Sequence, residues 1–297
     1  MADRDLVAAL VKRAEGRDDR VPVFPIMQPS TDEAIAHAQR LVAAIWPQFG
    51  ECGPKVEDVT TAVARLRLPD EGRVDVFHAS GAIAAVMSPR ETRTPIAADE
   101  RRADRESLVR RAEELAATIA KSHVSANDGL QNESVWELKG RGVALSGEAS
   151  PAALFEILVA FRRYLHGLPV LGRASVHVAL GSRSTVTKWG IDWRRVRPEP
   201  IAHTPVVDPQ EAASRIAGDL FWRRPEKPFT LDDFEPKSFK LGYLSMSRRR
   251  EQQVMQPAWV AILAPRGRTS MGHVLAVPAS PHAFDPIDRP AKMRPGG

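Results

Sequence analysis

The groups from which acid–base, nucleophilic or metal chemistry would be built in this 297-residue chain are eight histidines, one cysteine and its carboxylates. His37, His78, His123, His166, His177, His203, His273 and His282 are scattered. No two have the i, i+4 or His-x-His spacing that puts two imidazoles on one face of a helix or strand. Isolated surface or strand histidines are the plainer reading, and no metal ligand set is expected. Cys52 stands alone in Glu51-Cys52-Gly53-Pro54, which removes intramolecular disulfides and Cys-x-x-Cys chemistry. A thiolate paired with His78 is the one nucleophile it offers, whereas a lone cysteine is more often inert. Gly-x-Ser-x-Gly is absent, and Gly140-Arg141-Gly142 lacks the third glycine and the following helix of a dinucleotide loop. Asp232, Asp233 and Glu235 form an acidic loop that could take a cation, although such loops are ordinarily solvated. No catalytic residue, metal or cofactor is therefore expected; the sequence leans against an enzyme without excluding one.

Binding chemistry is better represented. Six tryptophans, Trp46, Trp136, Trp189, Trp193, Trp222 and Trp259, stand in a chain with 6% aromatic residues. Trp189 and Trp193 are four apart on a predicted strand, so they share a face with Arg195, and tryptophan with arginine is the composition of protein-interface hot spots. The competing reading packs one or both rings beneath a helix. The net charge is +5 and the pI about 9.6, but the charge is unevenly spread. Residues 1–100 carry 12 basic and 16 acidic side chains, whereas residues 151–200 carry 8 and 3. An acidic partner surface facing residues 161–197 is favoured. The clusters Arg194-Arg195-x-Arg197 and Arg248-Arg249-Arg250 could contact phosphate, yet Tyr164 and Tyr243 are the only tyrosines and no RNA-binding or zinc-finger pattern accompanies them. Nucleic acid is thus the weaker partner.

These residues must be positioned by local elements, and the pattern predicts α+β. Ser30 and Glu33 have capping-box spacing before Ala34, Ile35, Ala38, Leu41, Val42 and Ile45, a helical stripe stopped by Pro47 and Gly50. Strands are expected at 60–68, 73–79 and 82–87, with turns at Pro69–Gly72 and Ser80-Gly81. A second helix, about 104–121, aligns Leu108, Ala112, Leu115 and Ile119; strands follow at 134–147, 170–181 and 184–196. Val176, Val178 and Leu180 alternate with Ser175, His177 and Ala179 as in a half-buried strand. A third helix starts at Asp208-Pro209-Gln210-Glu211 and buries Ala212, Ala213, Ile216, Leu220 and Phe221, with strands at 239–247, 258–264 and 272–279 after it. Residues 151–166 are ambiguous. Ser150-Pro151 and the stripe Leu154, Leu158, Phe161, Leu165 favour a helix slightly, while Phe155, Ile157, Val159 and Phe161 alternate as a strand would.

The stretch 161–196 resembles the core of PepSY-like and FTP-type domains, the modules of thermolysin-type propeptides and of YycH/YycI-like regulators. The matching features are an aromatic strand ending at Tyr164, the turn Gly167-x-Pro169-Val170, Gly172, and an alternating strand to Leu180. A looser match covers the helix from Glu211, the strand through Tyr243, and Pro257-Ala258-Trp259. The chain departs from that pattern in ending Ala276-Val277-Pro278-Ala279-Ser280 and in having no His-Glu-x-x-His. The resemblance implies that 154–165 is a strand and that the fold is three helix-plus-antiparallel-meander units, PepSY-like. The divisions are a helical lead at 1–29, units at 30–100, 101–200 (core 154–196) and 201–279, and a Pro-rich irregular tail at 280–297.

The function so implied is a non-enzymatic protein-binding, inhibitory or assembly protein, with Tyr164, His166, Gly167, Pro169, Trp189, Trp193 and Arg195 as the partner-binding residues. A free sheet edge beside the Gly167 turn would pair with a partner strand or a second copy. A small-molecule enzyme or ligand carrier with a pocket between sheet and helices is the alternative, and nucleic-acid association through the basic C-terminal two thirds a third. No apolar run reaches the ~20 residues of a membrane span, and the N-terminus lacks a secretory pattern. A cytoplasmic location follows from the sequence as written, and an extracytoplasmic one if a signal segment preceded it.

Overall fold

The computed structural model describes residues 4–16, 18–49, 53–87, 94–96, 98–124, 128–143, 147, 149–173, 175–223, 234–266 and 273–287; of 98–105 and 220–223 only the backbone is described. Cys52, Asp232, Asp233, the Trp222, Leu220 and Phe221 side chains and the tail beyond Ile287 lie outside that set. The elements are α1 (Arg4–Val11), β1 (Ala14–Glu15), β2 (Arg20–Met27), α2 (Thr31–Ile45), β3 (Lys55–Val59), β4 (Val63–Arg67), β5 (Arg73–Phe77), β6 (Ala82–Val86) and α3 (Ala98–Ala120). They continue with β7 (Asp128–Gly140), β8 (Ala153–Leu165), β9 (Leu168–Leu171), β10 (Val176–Leu180), β11 (Val186–Ile191), β12 (Arg195–Val196) and β13 (Ala202–Pro205). The last are α4 (Pro209–Arg223), β14 (Phe234–Leu244), β15 (Val254–Met255), β16 (Pro257–Pro265) and β17 (His273–Pro278).

The fold is mixed α and β, dominated by one large and mainly antiparallel sheet. Its path runs β17-β16-β14-β9-β8-β10-β11-β6-β5-β4-β3, with β7 along β8 and β1 beside β14. A small second sheet gathers β12, β13 and β15 around β2. Helices α2 and α3 bury their stripes on the β3–β11 part of the large sheet: Ala38, Val42, Ala112 and Ile119 meet Val74, Ile83, Val178 and Trp189. Helices α1 and α4 cover the β14–β16–β17 part, where Leu10 and Ile216 join Phe239, Trp259 and Leu263.

Local sequence explains the helix starts. The Ser30 hydroxyl accepts the Glu33 N–H while Glu33 accepts the Ser30 N–H at 2.8 Å, satisfying two N-terminal donors of α2. At α4 the Asp208 carboxylate accepts the Gln210 N–H at 2.7 Å, with Pro209 in the first turn. The β8–β9 hairpin turns on His166 and Gly167, both with positive φ (48° and 79°), between the paired residues Leu165 and Leu168. That is the two-residue geometry whose twist suits a hairpin.

The ambiguous segment is a strand: β8 pairs with β7 along one edge and with β10 and β9 along the other. These long-range partners override its helical stripe. Several expectations need correction. Only 4–11 of the expected helical lead is helical, because 20–27 forms β2. Strand β3 was not anticipated, every one of its residues being exposed. The strand expected at 170–181 is broken at Gly172, since Val170 and Leu171 leave β8 to pair in parallel with Tyr243 and Leu244 of β14. The edge beside the Gly167 turn is therefore occupied, with β8 on one side of β9 and β14 on the other. Strand β10 is not half-buried in the expected sense, since Ala179 is as fully buried as Val178. The strand expected at 184–196 ends at Ile191, and Arg195–Val196 joins β2 instead.

Candidate functional site

The face of the large sheet opposite α1 and α4 carries a groove of about 550 Å³ where β7, β8, β9, β14, β16 and β17 converge. Alternation along each strand decides what lines it: Arg162 and Tyr164 of β8, Pro169 and Leu171 of β9, Lys240 of β14, Val260 and Ile262 of β16, and Val274 of β17. The β9–β14 seam beneath it depends on glycine. A Cβ on Gly242 would stand 2.3 Å from the Pro169 carbonyl oxygen, and one on Gly172, at φ +124°, would stand 2.5 Å from that of Ser245. Ile262 and Val274 keep 40% and 58% of their surface, so the apolar floor is open to solvent. A second hollow of about 840 Å³ shares Gly172 and Val274 with the groove and adds Arg173, Leu244, Ser245 and Ile287.

The charged groups of this face sort into satisfied and free. Arg162 pairs with Glu133 and donates to the Val170 and Arg173 carbonyls; Lys240 pairs with Glu15 at 2.8 Å. His177 feels the cations Arg248, Arg173 and Lys188, and Asp192 feels Arg248, Arg173 and Arg194; Glu156 is the ion-pair partner of Lys188 at 2.7 Å, and Asp285 acts with Asp192 on Arg194. Burial, reinforced by Arg248, Arg173 and Lys188, holds the His177 imidazole down at about 4; burial raises Asp192. The surface beside the groove is thus positive and has neutral imidazole at pH 7.

Of the residues expected to bind a partner, Tyr164, Gly167 and Pro169 come together in this groove. His166 does not; its ring stacks on Phe24 at 4.9 Å. Trp189 and Trp193 are both buried, which removes them from any partner surface. Trp189 packs on Trp46 at 5.9 Å under α2, and Trp193 lies beneath the Arg163 guanidinium at 4.7 Å. Because the strand stops between them, their four-residue spacing no longer implies one exposed face. Arg195 is elsewhere, donating to the Ser122 carbonyl at 3.1 Å. Each arginine cluster has a member engaged internally: buried Arg194 donates to the carbonyls of Ala79, Ser247 and Arg250, and Arg248 lies over Phe77 at 4.5 Å, while Arg197 and Arg249 are exposed.

One constellation had no sequence signal. His37 of α2 and His123, just past α3, meet at 4.8 Å, and the Ser122 hydroxyl lies 3.4 Å from His37 Nε2 and 3.1 Å from His123 Nδ1. Burial, then Arg195 and Arg40, lowers His37 to about 4; burial, then His37 and after it Arg195 and Arg163, lowers His123 to about 3. Both are neutral at pH 7, and a hydroxyl bridging two neutral imidazoles is a packing and hydrogen-bonding arrangement. Beside it, the buried pair Arg163–Asp128 at 2.7 Å ties β8 to β7. Among the described residues no group of three or more His, Cys, Asp or Glu side chains is placed to hold a metal ion.

No protein-family model and no curated protein matches the chain. Similar solved structures include an uncharacterized protein from Eubacterium rectale ATCC 33656, with a TM-score of 0.54 and 12% identity over 96% of this chain and 98% of that one. At that identity the likeness establishes a shared fold. Among the described residues no helix is long and apolar enough to cross a membrane.

Proposed function

We propose that this is a non-enzymatic protein-binding or assembly protein whose open sheet face receives an extended segment of another protein. The observation that carries the reading is the groove's composition: an apolar floor in which Ile262 and Val274 are exposed beside Leu171 and the buried Val260, continuous through Gly172 with the hollow lined by Arg173. A segment alternating apolar with acidic side chains fits both, since strand-like alternation delivers one set to the floor and the other to the cations. The resemblance to PepSY-like modules supports the same reading. In it, α2, α3 and α4, each followed by strands, are three helix-plus-meander units of a binding scaffold.

A ligand carrier is the second reading, favoured by one observation: about 550 Å³ falls within the range of small-molecule pockets. Selection of a random peptide library on the immobilised full chain separates the two. The binding reading predicts enrichment of alternating apolar–acidic peptides whose affinity drops about ten-fold or more in Ile262→Asp and Tyr164→Ala. Absence of enrichment, or peptides that bind both variants as well as the parent, would overturn it.

A further inference from the structure

The large sheet ends in free strands, and they are not equally protected. Strand β3 is short and wholly exposed, carries Lys55, Glu57 and Asp58, contains a register shift and follows Pro54. Charges, bulges and proline are what keep an edge from pairing. Strand β17 is short too and ends in Pro278. Strand β7 also has charges and register shifts, between Asn132 and Ser134 and between Leu138 and Lys139, but it is 13 residues long, contains no proline, pairs with β8, and among the described residues has no partner along its other edge.

Its outer half also exposes apolar surface. Trp136 is 62% exposed and Leu138 52%. The indole N–H is already bound to the Ser134 hydroxyl at 2.7 Å, so what Trp136 presents is its ring. Val135 packs toward the α2–α3 core, so by alternation Glu137 and Lys139 lie on that face, while Trp136, Leu138 and Gly140 lie on the other.

We infer that two copies of this chain join by antiparallel pairing of their β7 edges about a two-fold axis at Leu138. This register is self-complementary. Glu137 and Lys139, an ion pair at 2.7 Å within each chain, stand opposite the other copy's Lys139 and Glu137, and each Trp136 stands opposite Gly140. The space a side chain would fill at Gly140 is taken by Phe155, whose ring lies 3.0 Å from the Cβ position, so the incoming Trp136 meets an aromatic ring. In this register the outer-edge backbone groups from Trp136 to Gly140 gain partners, and the large sheet continues from one copy into the other.

This interface lies outside the proposed peptide groove, so Ile262→Asp should leave it intact. Sedimentation equilibrium of the full chain is expected to give twice the 32.7 kDa chain mass at high micromolar concentration. Trp136→Lys should weaken the dimer about ten-fold or more while leaving the far-UV circular dichroism unchanged. Glu137→Lys and Lys139→Glu are each expected to be monomeric under the same conditions, because like charges then face one another. Mixing these two variants should restore a dimer, which repair of a pair within one chain would not do. A parent chain that stays monomeric, a Trp136→Lys dimer as tight as the parent's, or a mixture that fails to associate would each overturn the inference.

Discussion

His37 and His123 share a corner that no local spacing could foretell, because it is made by packing α2 against the end of α3. Burial holds both imidazoles neutral, at about 4 and about 3, whereas an unfolded histidine titrates near 6.5. As pH falls below about 6.5 the unfolded chain takes up protons that the folded chain refuses, so stability drops through the window down to about pH 4. His123→Gln should flatten that dependence. Urea midpoints at about pH 7 and about pH 4.5 measure it, and an unchanged difference in His123→Gln would refute the assignment. At the same scale, the packed alternative for Trp189 and Trp193 is the one that matches their burial: one ring lies under α2 and the other beneath Arg163, within this chain's own core. Tyr164, Gly167 and Pro169 lie together in the groove because a tight hairpin brings them together locally.

At the scale of elements, what was legible is what local chemistry decides. The Ser30–Glu33 capping box, the Asp208-Pro209 start and the stripes of α2 and α3 fix helices without reference to the rest of the chain. Strand β8 was not decided this way, since its helical stripe and its alternation are both genuine and only pairing with β7 and β10 selects one. The divergence of β9 was invisible, because its partner in β14 is remote in sequence. The glycines at that seam are its local trace. Gly242→Ala would drive a methyl group to 2.3 Å from the Pro169 oxygen, forcing the strands apart. We expect a loss of ~1–3 kcal/mol in urea denaturation, as for overpacking at a closed site; a neutral substitution would mean that the seam is looser than described.

For the molecule as a whole, the α+β class was legible from alternating periodicities, and the single large sheet was not, since nothing local says that separate meanders share edges. The net charge of +5 likewise acquires a place. Among the cations near His177, Arg173 borders the hollow that adjoins the apolar groove. The proposed function rests on that open face. Its most direct test is hydrogen–deuterium exchange of the full chain with and without an alternating apolar–acidic peptide obtained by selection. The account predicts protection confined to 131–133, 162–171, 238–244, 260–262 and 273–276, in the strands that line the groove. Protection centred instead on the His37–His123 corner or on β3–β5, or no protection at saturating peptide, would contradict it.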